Sequence, residues 1–175
     1  DALAEFPTKA VEIQTPCGPC QGTKTLEASR LCAVSIERSG SALLEVVREC
    51  MPGIAVGKIL IQRDESAPEK TPTLYYSKLP PNVDENKYVL LCDPMLATGG
   101  SAIMALDVLA VKYNIPPQRI IFANVICAPE GLKALAKTYP KVKVVTACVD
   151  SHLNDSKFIV PGLGDYGDRF FNTEG

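Results

Sequence analysis

The stretch Tyr88-Val-Leu-Leu-Cys-Asp-Pro-Met-Leu-Ala-Thr-Gly-Gly-Ser-Ala-Ile-Met-Ala-Leu106 constrains this chain most. An apolar run, Val89 to Cys92, ends in Asp93; a short loop follows, Ala97 to Ser101; an apolar periodic stretch begins at Ala102. That order predicts a buried strand, an anion-binding turn and a helix. Glycines let backbone amides converge on one point, and the helix N-terminus adds partial positive charge, so the natural guest is a phosphate. Asp93 falls at the carboxyl end of the strand, where open α/β sheets place ligand-binding groups.

The spacing excludes the two best-known phosphate loops. There is no Gly-x-x-x-x-Gly-Lys-Ser/Thr, and no Gly-x-Gly-x-x-Gly follows a predicted strand. An acid followed by Ala-Thr-Gly-Gly-Ser suits a ribose 5-phosphate instead. The carboxylate accepts hydrogen bonds from ribose hydroxyls, while turn amides and the Thr98 and Ser101 hydroxyls hold the phosphate. The plain alternative is a strand–turn–helix connection with no ligand.

The bulk properties narrow the partners. The 175 residues suffice for one domain with a real core. A net charge of −2 gives no general attraction for nucleic acid or anionic membrane, so neither is expected as a partner and any phosphate contact must be local. No apolar run approaches the ~20 residues of a membrane span. Of seven cysteines, Cys32, Cys92, Cys127 and Cys148 lie in or beside apolar strand-like runs. As small buried hydrophobes they predict a reducing compartment, and a cytoplasmic location is expected. Cys17-Gly-Pro-Cys20 lacks the second pair that a structural zinc wants, and Gly18 and Pro19 predict a turn, so it reads as a solvent loop. The opening residues, Asp1 to Pro7, read as the end of a helix whose start lies upstream; a targeting segment before it is left open.

Along the chain, strands are expected at Val11–Thr15, Leu31–Ile36, Ile54–Gln62, Leu74–Ser77, from Val89, at Ile120–Ile126 and at Val142–Cys148. Helices are expected over 41–50, from the phosphate loop to about Tyr113, and over Pro129–Tyr139. Arg63 to Lys70 reads as a polar, mobile loop. Strands alternating with helices predict an α/β fold with a doubly wound, mainly parallel sheet. Pro161-Gly-Leu-Gly-Asp-Tyr-Gly-Asp-Arg169 is too glycine-rich for either element. Its glycines let backbone approach a flat ligand, and Phe158, Ile159, Val160, Leu163, Phe170 and Phe171 supply packing, so it is expected to be an ordered binding loop, not a loose tail.

Asp93-Pro-Met-Leu-Ala-Thr-Gly-Gly-Ser101 and Pro161 to Arg169 together closely resemble the uracil phosphoribosyltransferases. Ser35-Ile-Glu-Arg-Ser-Gly40 resembles the family's arginine-bearing turn, Lys58 to Glu65 the strand entering its flexible loop, and Val149-Asp150 with Leu153-Asn154 the segment before the uracil loop. The resemblance covers essentially the whole chain, as one domain over 1–175 without the family's N-terminal helical segment. It implies the type I phosphoribosyltransferase fold, with a small hood from the C-terminal loop, and transfer of the phosphoribosyl group of 5-phosphoribosyl 1-diphosphate (PRPP) to uracil, giving UMP and pyrophosphate.

The resemblance also implies the roles. PRPP would be held by Arg38, Arg63, Asp93, Pro94, Met95, Leu96, Ala97, Thr98, Gly99, Gly100, Ser101 and Asp165, with Pro94 standing where related enzymes carry a second acid. Uracil would lie against Ile159, with its polar edge on Gly164, Asp165 and Tyr166. Asp93, Arg63 and Asp165 are the catalytic candidates. Mg²⁺ is implied as cofactor, bound mainly through PRPP and water and with no protein metal ligands, and a homodimer or larger homo-oligomer with GTP as a candidate effector is implied too. Glu37 is read as a partner of Arg38, Asp168 as a partner of Arg169, and His152 as an exposed loop residue. A non-catalytic PRPP sensor and a phosphoribosyltransferase for another base are the alternatives.

Overall fold

The computed structural model describes residues 1–63, 71–81, 83 and 87–173, with Arg63 described through its backbone. Arg63, expected to open a loop, ends a strand, and the rest of that expected loop, 64–70, lies outside the described residues. The elements are β1 (Lys9–Thr15), β2 (Gly18–Lys24), β3 (Leu31–Glu37), α1 (Gly40–Cys50), β4 (Ala55–Arg63), β5 (Pro72–Lys78), β6 (Tyr88–Cys92), β7 (Met95–Leu96), α2 (Gly100–Asp107), β8 (Ile120–Cys127), α3 (Pro129–Thr138), β9 (Lys143–Val149), β10 (His152–Leu153), β11 (Ile159–Val160) and α4 (Tyr166–Phe171).

The main sheet runs β5-β4-β3-β6-β8-β7, with β9 also on β8. Its pairings are parallel except β4–β5, so the predicted doubly wound, mainly parallel sheet is what forms. The inner strands are nearly continuous apolar runs because both faces are covered. Alternation along each strand then sorts side chains between two cores. Cys32, Val34, Val89, Leu91 and Phe122 point to the face covered by Ala105, Leu106 and Leu109 and by Leu135 of α3. Leu31, Ala33, Leu90, Cys92 and Ile121 point to the face covered by Leu44 and Val47 of α1 and by Phe6. Gly40 seats α1 against the end of β6, since a Cβ there would collide with the Cys92 carbonyl.

Five expectations are corrected. Residues Cys17–Gly22 do not form a solvent loop: after a tight turn, Gly18–Lys24 is a strand antiparallel to β1, with Cys20 opposite Ile13. An isolated hairpin has no buried face to impose alternation on its sequence, so no period-2 pattern marked β2. Residues 2–5 form a 3₁₀ turn, and Phe6 behind it is buried against Tyr88. The helix after the phosphate loop ends as regular α-helix at Asp107 and continues as a widened turn, Val108–Lys112. Cys148 is exposed on β9, unlike buried Cys32, Cys92 and Cys127; burial pushes the Cys32 and Cys92 thiols up to about 12, as inert core groups require.

The fifth correction concerns the glycine-rich tail. Residues 166–171 form α4, because Asp165 caps it by accepting the Asp168 N–H at 2.9 Å. The letters Gly162-x-Gly164-x-x-Gly167 do follow a strand, β11, and open a helix. That strand has two residues, pairs antiparallel with β10, and belongs to no βαβ unit, so the dinucleotide reading gains nothing from it.

Candidate active site

The phosphate loop is built by backbone geometry. β6 ends at Cys92, the chain bends through Asp93 and Pro94, and β7 returns to pair with Ile126 and Cys127. Gly99 turns the chain with φ +87°, a conformation that costs glycine little, and its carbonyl accepts the Ile103 N–H at 2.8 Å to begin α2. Thr98 Oγ1 accepts the Gly100 N–H at 3.4 Å. Gly131 of α3 lies under the loop, where a Cβ would collide with the Ala97 carbonyl. Sequence reading missed Gly131; a glycine two residues into a helix opened by Pro129 was the available signal.

Asp93 is 7% exposed. Its Oδ1 lies 3.3 Å from Ser39 Oγ and 3.5 Å from the Met95 N–H, and its carbonyl accepts from Asn124 Nδ2 at 3.0 Å. Ser39, from the turn after β3, therefore helps aim the carboxylate, a role with no motif of its own in the sequence.

The arginine turn departs from expectation in its partners. Glu37 does not pair with Arg38. It receives Ser35 Oγ at 2.6 Å and Ser41 Oγ at 3.0 Å, and Lys58 Nζ lies 3.1 Å away. Burial raises its carboxyl, but hydrogen bonds from Ser35, Lys58 and Ser41, with the Lys58 charge, outweigh that and hold it below its ordinary value. Glu37 is the last residue of β3 and Arg38 the first of the turn that follows, so the two side chains leave the backbone toward different neighbours. Arg38 reaches the C-terminal segment: Nη2 lies 2.8 Å from Asp168 Oδ1 and 3.4 Å from Asp165 Oδ1, and Nη1 donates to Thr173 Oγ1 at 3.1 Å. Asp168 thus pairs with Arg38 and not with Arg169, which donates to the Leu163 carbonyl at 3.0 Å.

The hood is tied to the sheet. Asp150 Oδ2 accepts the Gly162 N–H at 2.8 Å, bridging two distant parts of the hood, and Asn154 Oδ1 accepts the Phe158 N–H at 2.9 Å, closing the turn between β10 and β11. Ile159, 4% exposed, packs with Ile126 and Ala128, and Met95, Ala97 and Leu163 join them. One small apolar cluster therefore joins the floor of the hood to the phosphate loop. Gly162, at φ +59°, has no room for a Cβ beside the Ile159 carbonyl. His152 is exposed on β10, beside Ser151 Oγ.

A cleft of about 740 Å³ opens between these parts. Arg38, Asp93, Met95, Leu96, Ala97, Gly99, Ser101, Ile159, Gly164, Asp165 and Tyr166 border it, so residues far apart in the chain converge on one space. Pro94, Thr98 and Gly100 do not border it; Pro94 instead gives its carbonyl to the Val125 and Ile126 N–H groups. The Arg63 side chain lies outside the described residues. Glu37, Ser39, Gln62 and Phe158 border the cleft without having been singled out as site residues from the sequence. The geometry offers amides and a hydroxyl at a helix start, a buried carboxylate beside them, and a close-approaching backbone loop over an apolar floor. That set can hold a phosphorylated sugar at one end and a flat polar ring at the other. Among the described residues no helix is long and apolar enough to cross a membrane.

Comparison with known proteins agrees with this geometry. The family model for uracil phosphoribosyltransferase matches residues 1–173. The uracil phosphoribosyltransferase of Dictyostelium discoideum is 45% identical over 99% of this chain and 78% of its own length. That of Saccharomyces cerevisiae is 48% identical over 81% of this chain, and the match spans 64% of the yeast protein. The solved AQ2163 protein from Aquifex aeolicus superposes with a TM-score of 0.80 at 34% identity, over 97% of this chain and 78% of that one. A phosphate loop on β6, a glycine-built hood over the same cleft and a family match spanning both have one common reading: the chain belongs to the uracil phosphoribosyltransferase family.

Proposed function

We propose that this chain, as a single domain over residues 1–175, transfers the 5-phosphoribosyl group of PRPP to uracil, giving UMP and pyrophosphate in pyrimidine salvage. The observation that carries the reading is the convergence of Asp93, Ala97, Gly99, Ser101 and Gly164–Tyr166 on one cleft, in a chain of this family. The amides and hydroxyls of Ala97 to Ser101 bind the 5-phosphate. Asp93 accepts hydrogen bonds from the ribose hydroxyls and orients C1. Met95 and Leu96 shape the sugar's seat, and Pro94 supports it from behind through its carbonyl on β8. Arg38 and Arg63 stabilise the leaving pyrophosphate. The transition state gathers positive charge on the ribose, so the work is positioning and electrostatics more than covalent chemistry.

Uracil lies on Ile159, with its O4 and N3–H read by the backbone of Gly164, Asp165 and Tyr166. Gly164 suits this role: it has φ +77° and open space where a side chain would stand. Cytosine reverses donor and acceptor at that edge and would leave the loop groups facing it unpaired, the kind of misfit by which a hydrogen-bonding site discriminates. Asp165 faces the ribose and its developing charge.

Mg²⁺ fits the donor set in one way. Asp93 and Asp165 face the cleft singly, and among the described residues no three His, Cys, Asp or Glu side chains converge on a metal site. Substrate phosphates and waters make up most of the usual Mg²⁺ environment, so a Mg²⁺ that enters with PRPP would be held mainly through PRPP and water, with the Asp93 and Asp165 carboxylates bordering the same cleft. When bound, the ion supplies charge neutralisation at the departing pyrophosphate. The proposal extends to a cytoplasmic homo-oligomer with GTP as a candidate effector, supported by family membership; sedimentation with and without GTP tests it.

The deciding experiment is conversion of radiolabelled uracil to UMP with PRPP and Mg²⁺, with hypoxanthine as control base. UMP from uracil and no product from hypoxanthine is expected. Turnover of hypoxanthine alone overturns the base assignment, and PRPP binding without turnover of either base overturns the enzyme reading in favour of a sensor.

A further inference from the structure

Three polar or charged residues are buried among the described residues: Ser35, Asp93 and Asn124. Ser35 bonds to Glu37 at the cleft's edge, and Asp93 borders the cleft. Asn124 does neither. It sits within β8, and its amide is used entirely inside the protein. Nδ2 donates to the Asp93 carbonyl at 3.0 Å, and Oδ1 accepts from Thr146 Oγ1 at 2.7 Å, the nearest of that hydroxyl's three acceptors.

The strand ladder explains why an amide is wanted there. Cys92 pairs with Ala123, and the Asp93 N–H donates to the Ala123 carbonyl at 3.2 Å. Continued regularly, a parallel ladder would next bring the Val125 N–H to the Asp93 carbonyl. At Pro94 the pattern shifts: the Val125 and Ile126 N–H groups both go to the Pro94 carbonyl, at 3.1 and 3.0 Å. The Asn124 side chain supplies Asp93 with the donor that the backbone has redirected. The Asp93 carbonyl can only accept, so it fixes the amide with Nδ2 toward it, and Thr146, from the neighbouring strand β9, donates to the oxygen end that this leaves facing it. A buried amide satisfied at both ends has one orientation, and any other leaves a polar group unpaired.

We infer that Asn124, held at its oxygen end by Thr146, is a positioning residue that sets the peptide carrying the Asp93 carboxylate, and through it the ribose of the phosphoribosyl group. The inference rests on the proposed phosphoribosyl transfer. Asn124 touches no substrate in this arrangement; its effect passes through Asp93.

A mutant cycle tests this, using the chain with Asn124→Ala, Asp93→Asn and both together. Turnover and KM for uracil are measured, along with PRPP affinity by calorimetry. Asn124→Ala is expected to lower kcat by up to about 10²-fold and to weaken PRPP, with the KM for uracil unchanged. In the Asp93→Asn background the same change is expected to cost less than about twofold more, since the group it acts through is already impaired. Thr146→Val should act in the same direction and Thr146→Ser should restore the parent values; this pair decides the matter if Asn124→Ala fails to fold by circular dichroism. Independent, multiplying losses in the double variant overturn the inference, as do equal losses for uracil and PRPP or a failed rescue by serine. If PRPP binding couples as expected but no UMP forms, the reaction falls and the positioning of the phosphoribosyl group stands. A parent chain that neither binds PRPP nor turns over uracil overturns both.

Discussion

Asp93 is a carboxylate kept inside the protein at the end of a central strand, with Ser39 and the Met95 N–H beside one oxygen. A group placed so firmly serves geometry. Asp93→Asn keeps its size and should leave thermal unfolding close to the parent, while kcat falls by about 10²-fold; parent-like turnover in a steady-state assay would remove Asp93 from the mechanism. Arg38 poses the opposite case, a half-exposed cation engaged by Asp168, Asp165 and Thr173. If it must also reach pyrophosphate, these contacts compete. Asp168→Asn is therefore expected to lower the KM for PRPP severalfold while leaving that for uracil unchanged; a raised PRPP KM would show that Asp168 aims Arg38 instead of restraining it. Asp93 and Arg38 could be picked out from their places in motifs. Their partners could not, because Ser39, Asn124 and Asp168 lie 54, 31 and 75 residues from Asp93 and meet it or Arg38 only through folding.

Elements whose burial is two-sided or amphipathic were readable in advance. β3, β6 and β8 are near-continuous apolar runs, and α1 and α3 carry an apolar stripe with a proline or proline–glycine boundary. The elements that escaped lack such a pattern. β2 owes its form to pairing with β1, and α4 to a cap from Asp165 within a glycine-rich stretch. Packing between elements also sets the phosphate loop. Gly131 of α3 touches the Ala97 and Leu96 carbonyls, so a methyl group there must move loop or helix. Gly131→Ala should cost about 1–3 kcal/mol in urea unfolding. It should also raise the KM for PRPP more than that for uracil, whose floor, Ile159, lies on another element.

Over the whole molecule, carboxylates tie distant segments together. Glu37 links the arginine turn to β4 through Lys58 despite its burial; Glu5 is held low by its hydrogen bond with Lys143 and that lysine's charge, joining the N-terminal turn to β9; Asp168 is held low by Thr173 and then Arg38. Each is depressed in the folded state relative to the unfolded chain. Their contribution is therefore fully present above the unfolded value of about 4 and is lost as pH falls through the lowered folded values. Thermal midpoints should hold steady down to about pH 5 and then fall, with Glu37→Gln flattening the acid limb; an unchanged limb in that variant would show that Glu37's contacts do not stabilise the fold.

What the sequence alone determined is what local pattern can encode. Apolar periodicity set the strands and helices, their alternation set the parallel sheet, and the glycine–hydroxyl run after Asp93 set an anion loop at a helix start. Two long motifs set the family. The tertiary structure decided what depends on chain segments meeting: the sorting of one sheet into two cores, the capture of Arg38 by the C-terminal segment, the seat of the phosphate loop on Gly131, and the shifted ladder at Pro94 that recruits Asn124. Such contacts leave no local signature, because their free energy is gained only when both partners have been brought together by the rest of the fold.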